Sequence, residues 1–258
     1  VTVLSSDDPI RVFQRFSTVD AISNGRAEVI LGRGSFVESF PLFGFDRNQY
    51  EELFEEKLDL FAAVLKEQPI TWQGRLRPPL KNQSVHPKTQ SGKLVTWIGV
   101  GGTPQSVLRA AHYGLPMMLA IIGGDPRRFA PFADLYRRAL RDMGEAELPV
   151  GVHSHGFVGE TDAQAREDLF ADYKRMRDRI GAERGWPPMT RDDFEREIES
   201  GSLYCGSPET VAKKIAATAK TLGVSRFDMK YSAGPLSHDK MMRCIELYGR
   251  KVMPLVRD

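Results

Sequence analysis

Four short stretches hold residue types that could bind or transform a charged ligand. In Gly32-Arg33-Gly34-Ser35, an arginine stands between glycines at the carboxyl end of an apolar run, residues 27–34. Glycines let the backbone come close to a ligand, and a guanidinium grips a phosphate with two parallel N–H bonds. A tight turn with a solvated arginine is the competing reading. In residues 99–106, GVGGTPQS, Gly101 and Gly102 lead into Thr103 and Pro104, an N-cap followed by proline at N1. Free N–H groups of Gln105 and Ser106, with the helix dipole, would attract an anion there. This is not the dinucleotide fingerprint, because Pro104 stands where G-x-G-x-x-G needs glycine, and no lysine follows as in a P-loop. A capped helix after a glycine turn explains the same residues without a ligand. His153 and His155, two apart on a strand, share one face. At the mouth of a barrel they would face a substrate; elsewhere they are packed core or rim histidines.

No metal is expected, since no third ligand accompanies the histidines and no H-E-x-x-H motif occurs. The fourth stretch, GSPETV at 206–211, has a structural account: a glycine turn, a serine cap, proline at N1 and an acid in the first turn. Arg127-Arg128, the glutamates 51, 52, 55 and 56, and the arginine-rich stretch 166–179 read as solvated helix faces. No serine is marked as an activated nucleophile.

The elements that must position these residues alternate strand and helix, which implies a largely parallel sheet covered by helices. Strands are expected at 1–4, 27–34, 94–100, 117–122, 150–158 and 226–231. Helices follow Pro9, Asp46, Pro104, Asp125, Thr161 and Ser207, each with apolar residues three and four apart. Residues 68–93 and 181–203 read as excursions, the first with a strand at 70–72 and the second with a helix at 191–199. Trp186 makes the second a candidate lid. The whole chain, 1–258, is expected to be one domain.

Composition narrows the function. The 258 residues carry a formal net charge of +2 and are 41% hydrophobic, which excludes a disordered or collagen-like chain. Balanced charge gives no drive toward nucleic acid or anionic membranes, and neither is expected as a partner. The longest apolar run, 115–122, is far below the ~20 residues that span a bilayer. The N-terminus has no signal-peptide pattern, so a cytoplasmic location is expected by default. Cys205 and Cys244 form neither a disulfide framework nor a metal-ligand spacing.

The segments DDPIRVFQRFSTVDAISNGRAEVILGRG, FPLFGFD and VTWIGVGGTPQSVLRAAHYGLPM, with GSPETVAKKI further on, resemble the bacterial luciferase-like flavin-dependent oxidoreductases over nearly the whole chain. The resemblance implies a (β/α)8 TIM barrel that binds FMN or, in some branches, a deazaflavin. It implies a monooxygenase that uses reduced FMN and O2 on a small organic substrate, with a separate NAD(P)H flavin reductase as a possible source of the reduced cofactor. It assigns the flavin phosphate to Arg33, with Gly34 and Ser35 beside it, and to Thr103 and Ser106 after Gly101 and Gly102. It implies a homodimer that meets through the first helix, residues 9–23.

The chain departs from the family in three places. Gly32 stands where luciferases have cysteine. Glu51 stands near the position of a second phosphate-binding arginine, which implies either weaker phosphate binding or a substitute in Arg47. The family's first two strand–helix units, with a histidine implicated in catalysis, have no counterpart, so six of eight units are counted, an N-terminally truncated barrel is expected and no catalytic residue is assigned. A flavin- or ligand-binding barrel without catalysis, and a deazaflavin-dependent reductase, are the alternatives. A sugar-phosphate or aldehyde barrel enzyme is disfavoured, Lys230 being its only candidate lysine.

Overall fold

Asp8 and Pro9 begin the first helix in the way their chemistry dictates. The Asp8 carboxylate accepts from the N–H groups of Ile10 and Arg11 at 2.9 and 3.3 Å, and Pro9 supplies no N–H that would need a partner. Asn24, left-handed at φ 57°, ends the helix. The computed structural model describes residues 1–34 and 38–257. They form two compact units: Val1–Val100 with Arg109–Met118, and Gly101–Leu108 with Leu119–Asp258.

The first unit holds β1 (Thr2–Val3), α1 (Pro9–Ser23), β2 (Glu28–Gly32), α2 (Ser39–Leu42), α3 (Tyr50–Val64), β3 (Ile70–Trp72), β4 (Leu80–Gln83) and β5 (Val95–Val100). Strands β1, β2 and β5 pair in parallel, with Val3 opposite Gly32 and Leu31 opposite Ile98. Val12 and Phe13 of α1 and Leu58 and Phe61 of α3 are buried, and Phe13 meets Phe61 edge-on at 6.5 Å. β3 and β4 form a separate antiparallel pair. The strand expected at 70–72 is therefore present; its partner carries no apolar alternation and was not foreseen. Buried Asp20 ties this excursion back to α1, accepting from the Ser91 N–H and hydroxyl at 3.0 Å each.

Two elements are shared between the units, α4 (Pro104–His112) and β6 (Met117–Ala120). The second unit adds α5 (Ala130–Asp142), β7 (Val150–Val158), α6 (Asp162–Arg184), α7 (Arg191–Glu199), β8 (Tyr204–Gly206), α8 (Pro208–Leu222), β9 (Arg226–Lys230), α9 (His238–Leu247) and α10 (Met253–Arg257). β7 pairs in parallel with β9 along Gly151–His155 and with β8 along Gly156–Val158. Its core gathers Phe157, Leu169, Tyr173, Phe194, Tyr204, Ile215 and Leu247. β8 corrects the count of six strands to seven besides the β3–β4 pair, among the described residues. At three residues, running straight into the Ser207 cap, it is too short to leave a periodic signal. Trp186 lies beside α6, with the Arg177 and Arg184 guanidiniums 4.1 and 5.2 Å from its ring centroid, which anchors the 181–203 excursion to that helix.

Candidate functional site

In the first unit, β2 ends at Gly32 and delivers Arg33 at its carboxyl end. The Arg33 side chain is 23% exposed and forms an ion pair with Glu51, in the first turn of α3. Its guanidinium lies 5.6 Å from the ring centroid of Tyr50, whose hydroxyl donates to the Gly34 carbonyl at 2.6 Å. Burial raises the Tyr50 pKa, so the phenol stays a donor. Arg109 of α4 meets the same acid: its Nη2 lies 3.2 Å from Glu51 Oε2 and 2.7 Å from Glu55 Oε1. The glutamates read as a solvated face are thus engaged. Glu56 also accepts from the N–H groups of Arg75 and Leu76 at 2.6 and 2.9 Å. Ser35 lies outside the described residues.

In the second unit, the turn into α4 presents donors. Thr103 Oγ1 and Ser106 Oγ share a hydrogen bond at 2.8 Å. One expectation is corrected here: the Ser106 N–H is not free but donates to the Thr103 carbonyl at 3.1 Å, because the first turn of the helix closes tightly. Gly102 sits at φ +106°, which an L side chain rarely adopts, and a Cβ there would meet Phe129 at 3.5 Å. At Gly101 a Cβ would meet nothing within 4 Å among the described residues. Ser106 is buried and Thr103 is exposed, so the Thr103 hydroxyl and the helix N-terminus are what this turn offers a phosphate group.

His153 and His155 lie on β7, in register with Asp228 and Lys230 of β9. His155 is buried, its ring edge-on to Tyr173 at 5.8 Å. Burial, followed by the charge of Lys230, pulls its pKa down to about 4. Burial lowers the pKa of half-buried His153 as well, and among the described residues His153 Nδ1 has no hydrogen-bond partner. Burial likewise lowers Lys230. Both imidazoles are therefore neutral at pH 7. Ser154 between them is buried and donates to main-chain carbonyls, those of Ile121 and Ser202, at 2.6 and 2.7 Å.

GSPETV keeps its structural role: Ser207 Oγ accepts from the Thr210 N–H at 3.3 Å, with Pro208 opening α8. What sequence reasoning missed is Arg109 and the engagement of Glu51. The i, i+4 spacing of Glu51 and Glu55 puts two like charges one turn apart, which a cation relieves, but it does not name that cation as Arg109. Among the described residues, no group of three or more His, Cys, Asp or Glu could hold a metal ion, and no helix is long and apolar enough to cross a membrane.

A sequence model of the luciferase-like monooxygenase family matches residues 1–226. Three solved structures are similar. Monooxygenase RslO1 from Streptomyces bottropensis is 20% identical, with 97% of this chain and 75% of that one covered and a TM-score of 0.81. The oxygenating constituent of 3,6-diketocamphane monooxygenase from Pseudomonas putida, in complex with FMN, is 16% identical over 99% and 78% of the two chains, with a TM-score of 0.73. An F420-dependent secondary alcohol dehydrogenase, in complex with an F420-acetone adduct, is 17% identical over 97% and 76%, also at 0.73. These likenesses show the fold, an α/β TIM-barrel type.

Proposed function

This chain belongs to the luciferase-like monooxygenase family, and from that membership we propose that it is a flavin-dependent oxidoreductase, a monooxygenase that uses reduced FMN and O2 on a small organic substrate. The observation that carries the reading is the turn into α4, where Gly101 and Gly102 lead to the Thr103 hydroxyl, bonded to buried Ser106, at a helix N-terminus. Reduced flavin, when bound, supplies two electrons, to O2 in a monooxygenase or to an organic acceptor in a reductase.

The chain's own residues bind and orient. Thr103 and Ser106 donate to phosphate oxygens, and Gly101 and Gly102 let the cofactor approach the main chain. In the first unit, Arg33 offers a guanidinium to an anionic group of the cofactor, with Gly34 beside it. His153 and His155 face the substrate as neutral imidazoles, which orient a polar group without adding charge. The protein works as a homodimer in this reading and receives reduced cofactor from a separate flavin reductase. A deazaflavin-dependent reductase is the second reading, favoured by the similarity to the F420-dependent dehydrogenase.

Titration of the purified protein by flavin fluorescence tests the proposal. Saturable binding of FMN is expected; a chain that binds neither FMN nor a deazaflavin ends both readings. Supplying reduced FMN and O2 with a panel of small organic substrates then separates an enzyme from a flavin-binding protein. Substrate-dependent oxygen incorporation is expected, and its absence across the panel counts against the monooxygenase.

A further inference from the structure

We propose that Glu51 is a built-in competitor for the anion site formed by Arg33 and Arg109, and that it weakens the chain's preference for a phosphorylated flavin over an unphosphorylated one. This rests on the reading that Arg33 contacts the cofactor phosphate. The carboxylate of Glu51 is split between the two guanidiniums: one oxygen pairs with Arg33 Nη1, the other lies 3.2 Å from Arg109 Nη2. The arginines are held without it. Arg33 lies against the Tyr50 ring, while Arg109 is 11% exposed, 5.4 Å from the Phe54 ring centroid and paired with Glu55. Glu51 itself is 51% exposed and free to rotate into solvent.

Charge decides the outcome. Two guanidiniums face two carboxylates, so a dianionic phosphate arriving beside Arg33 meets a site already neutralised. It must expel Glu51, and the lost ion pair is subtracted from the gain. A flavin without phosphate escapes this cost.

The test compares FMN with riboflavin by fluorescence titration of the wild type, Glu51→Gln and Glu55→Gln. Wild type is expected to favour FMN over riboflavin only several-fold. Glu51→Gln should tighten FMN by about tenfold, the scale of one charged hydrogen bond, and leave riboflavin unchanged. Glu55→Gln, which keeps the Glu51–Arg33 pair, should change neither. Glu51→Ala, which also removes the carboxylate, serves the same comparison if the Gln variant does not fold. Equal tightening of both flavins, or of neither, overturns the proposal. Riboflavin binding without a gain for FMN overturns it alone; failure of every variant to bind either flavin overturns the flavin reading with it.

Discussion

Arg33 derives its usefulness from being held before any ligand arrives. Its guanidinium rests on the Tyr50 ring, a contact that does not depend on Glu51, so little side-chain freedom remains to be lost on binding. Arg33→Ala should therefore weaken FMN binding several-fold, less than the ~1.5–3 kcal/mol of an uncontested charged hydrogen bond. Equal affinity in the variant, measured by fluorescence titration, would remove Arg33 from the site. His155 makes a prediction about stability. Burial holds its pKa at about 4 against an ordinary 6.5. Between those values the unfolded chain takes up a proton that the folded chain refuses. The contribution is thus complete above pH 6.5 and is lost as pH falls toward 4, by about 3 kcal/mol at ~1.4 kcal/mol per pKa unit. Urea unfolding at pH 7 and pH 4.5 should show wild type losing that much more than His155→Gln. Parallel losses in the two proteins would contradict the assignment.

The connection from β5 into α4 can be probed without disturbing the fold. A Cβ at Gly101 meets nothing within 4 Å, and no positive φ forbids a side chain there. Gly101→Ala should leave stability within about 0.5 kcal/mol of wild type while weakening FMN several-fold, because the methyl enters the space assigned to the cofactor. An unchanged FMN affinity would sink that assignment. Elements of this kind were legible in the sequence because their local chemistry is self-contained: Asp8-Pro9, Thr161 and Ser207-Pro208 each start the helix they signal. The helix expected at 191–199 is likewise present, closed at its start by a Thr190–Asp193 capping box. β8 was not, since three residues carry no period and depend on β7 for their hydrogen bonds. The acid network was hidden for a similar reason. Nothing in the spacing of Glu51 relates it to Arg109, 58 residues away. Pairings across the fold of this sort are tertiary facts, and periodicity cannot report them.

Taken as a whole molecule, the chain buries titratable groups in both units, and together they shape its response to alkali. Burial pulls Lys57 in the first unit and Lys214 in the second down to about 8, against an ordinary 10.5. Above pH 8 the folded lysines release protons that the unfolded chain keeps, so each adds stability as pH rises, with a slope of up to ~1.4 kcal/mol per pH unit. The thiols act in the opposite direction. Burial pushes Cys205 up to about 12 and Cys244 up to about 11, from an ordinary 9.0. Above pH 9 the unfolded chain ionises them and the folded chain does not, which cancels the lysine gain. Above pH 10 the tyrosines join: Tyr204 and Tyr248 are pushed up to about 12, and Tyr136 and Tyr173 are raised as well, all by burial. Tyr50 and Tyr113 are raised too and Lys230 is lowered, so six phenols then outweigh three amines. The unfolding free energy should rise from pH 8 to 9, level off between 9 and 10, and fall steeply above 10. Lys57→Met should flatten the rise and leave the steep fall in place. Denaturant titrations at half-unit intervals would resolve these limbs, and a steady decline beginning at pH 8 would show that the two lysines do not pay the cost of burial that their surroundings imply.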